Sequence, residues 1–92
     1  MTPLIVLRRV RLTVKHRPTG KTRHYRDGVL VPAPAELRIV QYSGDTAFYL
    51  FYCDRSGREM TDTWHESLER AMAQAQWEFE VKLEEWETVT DS

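Results

Sequence analysis

Residues 47–79 read AFYLFYCDRSGREMTDTWHESLERAMAQAQWEF, and they contain two strands, a turn, a helix cap and a helix in succession. AFYLFYC (47–53) is dense in aromatic residues, which suit a pleated, buried strand. Asp54-Arg55-Ser56-Gly57 supplies turn chemistry, and residues 58–65 return as a further strand. Ser67 then places a hydroxyl where it can accept from a free amide of a first helical turn. Glu69 falls inside that turn, where the helix dipole favours an anion. Leu68, Met72, Ala75 and Phe79 recur at helical spacing, flanked by Ala71, and Leu83 and Trp86 stay near the same stripe. The pattern predicts a helix over 67–86, roughly 28 Å long at 1.5 Å per residue.

Working back toward the N-terminus, ELRIVQY (36–42) reads as the antiparallel partner of 47–53, joined to it through Ser43-Gly44-Asp45. LIVLRRVRLTVK (4–15) reads as another strand. Leu4, Val6, Val10, Leu12 and Val14 fall on one side at period two, with Arg8 as the exception. Between them, residues 16–36 are rich in Pro, Gly and basic side chains, with a short strand expected near Tyr25 or over 29–31. One helix across an antiparallel sheet of about four strands is a two-layer α+β domain. The chain of 92 residues is then a single domain: strands and a basic loop over 1–66, helix over 67–86, tail over 87–92.

Composition narrows the function classes. No stretch approaches the ~20 apolar residues of a membrane span, so no membrane partner is expected. The single cysteine, Cys53, cannot form an internal disulfide and fits a reducing, cytoplasmic setting. Net charge is −1, yet residues 1–44 carry nine basic and two acidic side chains (+7), while residues 59–92 carry two basic and ten acidic (−8). Such asymmetry favours attraction between the halves or marks a partner-binding face.

Catalytic and metal motifs are not evident. His65 ends a strand pattern two residues before the cap, Asp62 and Glu66 project to the opposite strand face, and Glu69 lies on another element. There is no paired-histidine helix motif, nucleophile elbow or phosphate-cradling loop. Neither a catalytic residue, a metal nor a cofactor is assigned, and the chain reads as a non-enzyme.

Two apolar features point instead to protein binding. In 47–53 both strand sides are apolar: Phe48, Leu50 and Tyr52 on one, Tyr49, Phe51 and Cys53 on the other. A strand half exposed to water alternates, so the second side must be covered by the 17–35 loop or by another chain. On the expected helix, Trp77 and Val81 lie opposite the core stripe. Tyr49, Phe51, Trp77, Val81 and Trp86 are therefore the candidate partner-contact residues, and a homodimer covering the second sheet face is expected. The alternative is a nucleic-acid-binding module using Arg9, Arg11, Lys15, Arg17, Lys21, Arg23 and Arg26 against phosphates.

From FYLFYCD through TDTWHESLE to QWEFEVKLEEWE the chain resembles a group of short, uncharacterised bacterial proteins. These share a T-D-T-x-H strand end, an S-L-E helix start and an E-F-x-V…E-E-W close. The resemblance covers about half the chain and implies no particular chemistry; some small proteins of this build act as immunity or antitoxin partners. Glu80 stands where that group has Gly, and Leu83 where Pro is common. Both of those are helix stop signals, so their replacement allows a longer helix here.

Overall fold

The computed structural model describes residues 4–13, 16, 25–30 and 32–89. Strand β1 (Leu4–Arg11) comes first, and a small hairpin of β2 (Tyr25–Arg26) and β3 (Val29–Leu30) follows. The hairpin turns on Asp27 and Gly28, both at positive φ (53° and 79°), the pairing that matches strand twist in a two-residue loop. Strands β4 (Glu36–Tyr42), β5 (Phe48–Cys53) and β6 (Glu59–His65) then form a meander, and α1 (Leu68–Phe79) crosses one face. A 3₁₀ turn (Leu83–Glu85) leads to β7 (Glu87–Thr88). Among the described residues the main sheet has five strands in the order β6-β5-β4-β1-β7, all pairs antiparallel. This is the two-layer α+β architecture expected from the sequence, with β7 as a fifth strand where a tail is expected.

The helix starts as its sequence dictates. The Ser67 hydroxyl accepts from the Arg70 amide, and Ala71 and Ala75 are small enough to bring α1 onto the sheet. Phe79 of the helix packs into one core with Leu37, Ile39, Leu50, Tyr52, Val81 and Trp86, and with Val10 from β1.

The helix does not run to 86. It stops at Phe79 because Glu80 takes the left-handed conformation (φ 58°, ψ 34°), its amide still bonded to Gln76 O. A β-carbon makes that conformation costly, by roughly 1–2 kcal/mol, yet the position acts as a helix stop of the kind glycine usually provides. The chain then turns inward, and Val81 (0% exposed) and Trp86 (8% exposed) are core residues. Neither projects from a helix toward a neighbour. Residue 87 onward is not wholly a tail, because Arg8 and Arg9 pair with Thr88 and Glu87.

Strand β1 also departs from its period-two reading. The register against β4 slips between Val6 and Arg8, a bulge that puts one extra residue in the strand and exchanges its faces. Val10 and Leu12 thus join the core under α1, while Val6 packs on the other side with Val40 and Phe51. The period-two stripe from Leu4 to Leu12 is split between two faces, and β1 itself ends at Arg11. The last hold on this end is His16. Its Nδ1 accepts from the Thr13 amide (3.0 Å), which leaves the Nε2 proton to donate to Glu85 (2.7 Å). The buried imidazole thereby ties the end of β1 to the 3₁₀ turn.

Candidate protein-binding face

The sheet face away from α1 is built in rows by the strand register. Trp64, Tyr49, Val40 and Val6 are successive cross-strand partners from β6 to β1. Tyr42 and Leu4 pair alongside them. Tyr42 and Tyr49 meet edge to face, centroids 5.5 Å apart and planes at 78°, a favoured aromatic geometry. Val40, Phe51 and Cys53 are buried at the base of this patch, with Val6 and Tyr49 packed against them. Around them Trp64 is 60% exposed and Leu4 45% exposed. Soluble surfaces carry isolated apolar residues freely, but contiguous aromatic patches mark contact sites.

The next rows are charged. Asp62, Phe51, Arg38, Arg9 and Glu87 align across all five strands, followed by Glu59, Cys53, Glu36 and Arg11. Arg9 donates to both carboxylate oxygens of Glu87 (2.9 and 3.2 Å). That contact raises the arginine pKa and lowers the glutamate's. Arg38 is bonded to Glu36, and Gly57, at φ 85°, sits so close that a β-carbon there would lie 2.8 Å from Arg38 Nη2.

The residues expected to contact a partner do not share one surface. Tyr49 is on the open face and Phe51 lies buried beneath it. Trp77 is 43% exposed on α1, in the other layer, and Val81 and Trp86 are interior. Trp64, Leu4, Val6 and Tyr42 complete the patch. Trp64 was readable as a face neighbour of Tyr49 once β5 and β6 pair across the Asp54–Gly57 turn. Leu4 and Val6 were hidden by the bulge.

Of the basic residues, Arg9 and Arg11 alternate with Glu87 and Glu36 and make no uniform positive track. Lys15, Arg17, Lys21 and Arg23 lie outside the described residues, and Arg26 belongs to β2.

The histidine between strand and helix lies on the face toward α1, away from Asp62. His65 Nε2 is 2.7 Å from Thr63 Oγ1, and burial lowers its pKa, with the Glu78 carboxylate acting in the opposite sense. Nearby, Glu78 is buried and accepts from the Tyr52 hydroxyl (2.7 Å) and from Gln74. Burial raises the Cys53 thiol pKa, so this cysteine is held as a thiol, not an activated nucleophile. Among the described residues no three His, Cys, Asp or Glu side chains are grouped to hold a metal ion, and no helix is long and apolar enough to cross a membrane. Comparison with protein-family models, curated proteins and solved structures finds no match to this chain.

Proposed function

We propose that this chain is a non-enzymatic protein-binding module whose working surface is the sheet face opposite α1. One observation carries the reading: exposed Trp64 and Leu4, with half-buried Tyr49, Tyr42 and Val6 between them in the strand register, stand over buried Val40 on the face that the helix does not cover. The polar network of Tyr52, Glu78, Gln74, Thr63 and His65 faces α1 and is understood as structural. An immunity or antitoxin role is the narrower form of this reading, in which the face occupies the surface of a toxic partner.

Affinity capture from host extract tests it, with wild type and Trp64→Glu as paired baits. Trp64 is exposed, so its replacement leaves the fold intact while placing a charge in the patch. Capture of a protein by wild type that is lost with Trp64→Glu supports the reading. Capture unaffected by Trp64→Glu moves the binding surface elsewhere.

A further inference from the structure

One end of the sheet carries a recess that neither the Trp64 patch nor the Tyr52–Glu78 network uses. It forms where three chain segments run side by side. The Leu12 amide donates to the Ala35 carbonyl (2.8 Å), and the Ala35 amide donates to the Cys53 carbonyl (2.8 Å). Residue 35 therefore lies between the end of β1 and the turn that follows β5. Ahead of it, Pro32 and Pro34 have no amide hydrogen to donate, so this stretch adds no further rung to the ladder.

A recess of about 290 Å³ opens at this end, lined by Arg11 at the end of β1, by Arg55 of the β5–β6 turn, and by Leu12 and Ala35. Beside it a second hollow of about 480 Å³ shares Leu12, Ala35 and Arg55 and adds Pro32, Pro34 and Met60. The charges here are unequally engaged. Two carboxylates, Glu36 and Asp54, also line the smaller recess, and the chain already uses both. Glu36 is bonded to Arg38. Asp54 Oδ1 accepts from the Ser56 amide (2.9 Å), the Ser56 hydroxyl (2.6 Å) and the Arg58 amide (3.0 Å). Arg11 and Arg55 are exposed, and neither guanidinium has a hydrogen bond or ion pair among the described residues.

We propose that this recess binds a carboxylate side chain carried on an apolar segment of a partner protein, with Arg11 and Arg55 as its two cationic contacts. The site is distinct from the open face of the sheet and does not depend on that face being a binding surface.

A guanidinium presents parallel N–H donors that match the two oxygens of a carboxylate, and charge-assisted contacts of this kind are the stronger class. One arginine on a strand and one on a turn place two such forks around a single recess. Nucleic acid matches the site less well. Its backbone would carry successive phosphates past Glu36 and Asp54, whereas a lone carboxylate has only the two arginines to meet. The apolar lining from Leu12, Ala35, Pro32, Pro34 and Met60 accommodates an aliphatic or aromatic neighbour of the acidic residue, as binding recesses commonly do around a few placed polar groups.

Titration of the purified full chain, followed by NMR, tests the proposal. The probe is an end-blocked pentapeptide with a glutamate between two leucines, and the control carries glutamine in its place. So small a guest makes few contacts, and a Kd on the order of 1 mM is expected for the glutamate peptide. Its shifts should centre on Arg11, Ala35 and Arg55 and spare Trp64. The glutamine peptide should bind about tenfold more weakly or worse. Arg11→Gln and Arg55→Gln should each weaken the glutamate peptide by about fivefold or more, with Tm unchanged because both side chains are exposed and unpaired. Arg9→Gln removes the same charge from an arginine already held by Glu87, and should alter affinity by no more than about twofold. Absence of saturable binding of the glutamate peptide up to about 10 mM overturns the proposal. So does equal binding of the glutamine peptide, or an affinity indifferent to Arg11→Gln and Arg55→Gln. A single-stranded oligonucleotide that bound through the same two arginines more tightly than the peptide would overturn a protein carboxylate as the guest.

Discussion

The Tyr52 hydroxyl donates to Glu78 Oε1 at 2.7 Å in the layer between sheet and helix. Glu78 is a buried carboxylate on α1, and Gln74, one turn earlier, donates to the same oxygen. A buried charge is tolerated when donors surround it. Tyr52→Phe keeps the ring packed against Phe79 but removes one donor. The expected loss is about 1.5–3 kcal/mol, the range for hydrogen bonds to charged groups, read as a shift in urea midpoint at constant slope.

The same tyrosine predicts alkaline behaviour. Burial raises its pKa far above the ordinary 10.0. The folded state therefore holds the phenol proton where the unfolded chain releases it. This contribution is complete below the unfolded value and declines as pH rises through about 10 and beyond. Thermal melts of wild type should fall in that window more steeply than those of Tyr52→Phe.

His65 gives the acid counterpart. Its pKa is lowered, chiefly by burial, so the unfolded chain takes up a proton before the folded one does. Stability is present above the unfolded value of 6.5 and is lost as pH falls through it toward the lower folded value. His65→Gln should flatten stability between neutral pH and about pH 5. An unchanged slope would show that another group controls that range.

Glu80 is the residue whose replacement should stabilise. Its φ of 58° carries a steric cost that glycine does not. Glu80→Gly is expected to add about 1 kcal/mol, or about 4–8 °C in Tm for a domain of this size. A decrease would show that the Glu80 side chain has a role outweighing its backbone strain.

The strands from 36 to 65 and the helix start at Ser67 were legible because period-two runs, turn residues and a hydroxyl cap agree with one another. Three features were not. The helix end was hidden because Glu80 adopts a conformation its residue type disfavours, held by the burial of Val81 and Trp86 beyond it. The faces of β1 were hidden because a bulge leaves no mark in the LIVLRRVR pattern. Strand β7 is too short to show any period, and Arg9 with Glu87 fixes it only after the chain has returned from the far layer. The open face depended on the second of these, so Tyr49 was readable and Leu4 and Val6 were not.

The two tryptophans beyond the sheet should part company on substitution. Trp86 follows the 3₁₀ turn into the core, beside Phe79 and Val81. Truncating a buried aromatic costs about 3–5 kcal/mol, enough to unfold much of a small domain whose whole stability is of order 5–15 kcal/mol. Trp77 is 43% exposed on α1, so Trp77→Ala should cost clearly less than truncating the buried Trp86. It lies in the helix layer, away from the Trp64–Tyr49 row, so Trp77→Ala should also leave capture of a partner protein unchanged. Denaturation of both variants checks the first contrast, and affinity capture with Trp77→Ala checks the second. If Trp77→Ala kept the fold but abolished capture, the contact surface would be the outer side of α1 and not the sheet face opposite it.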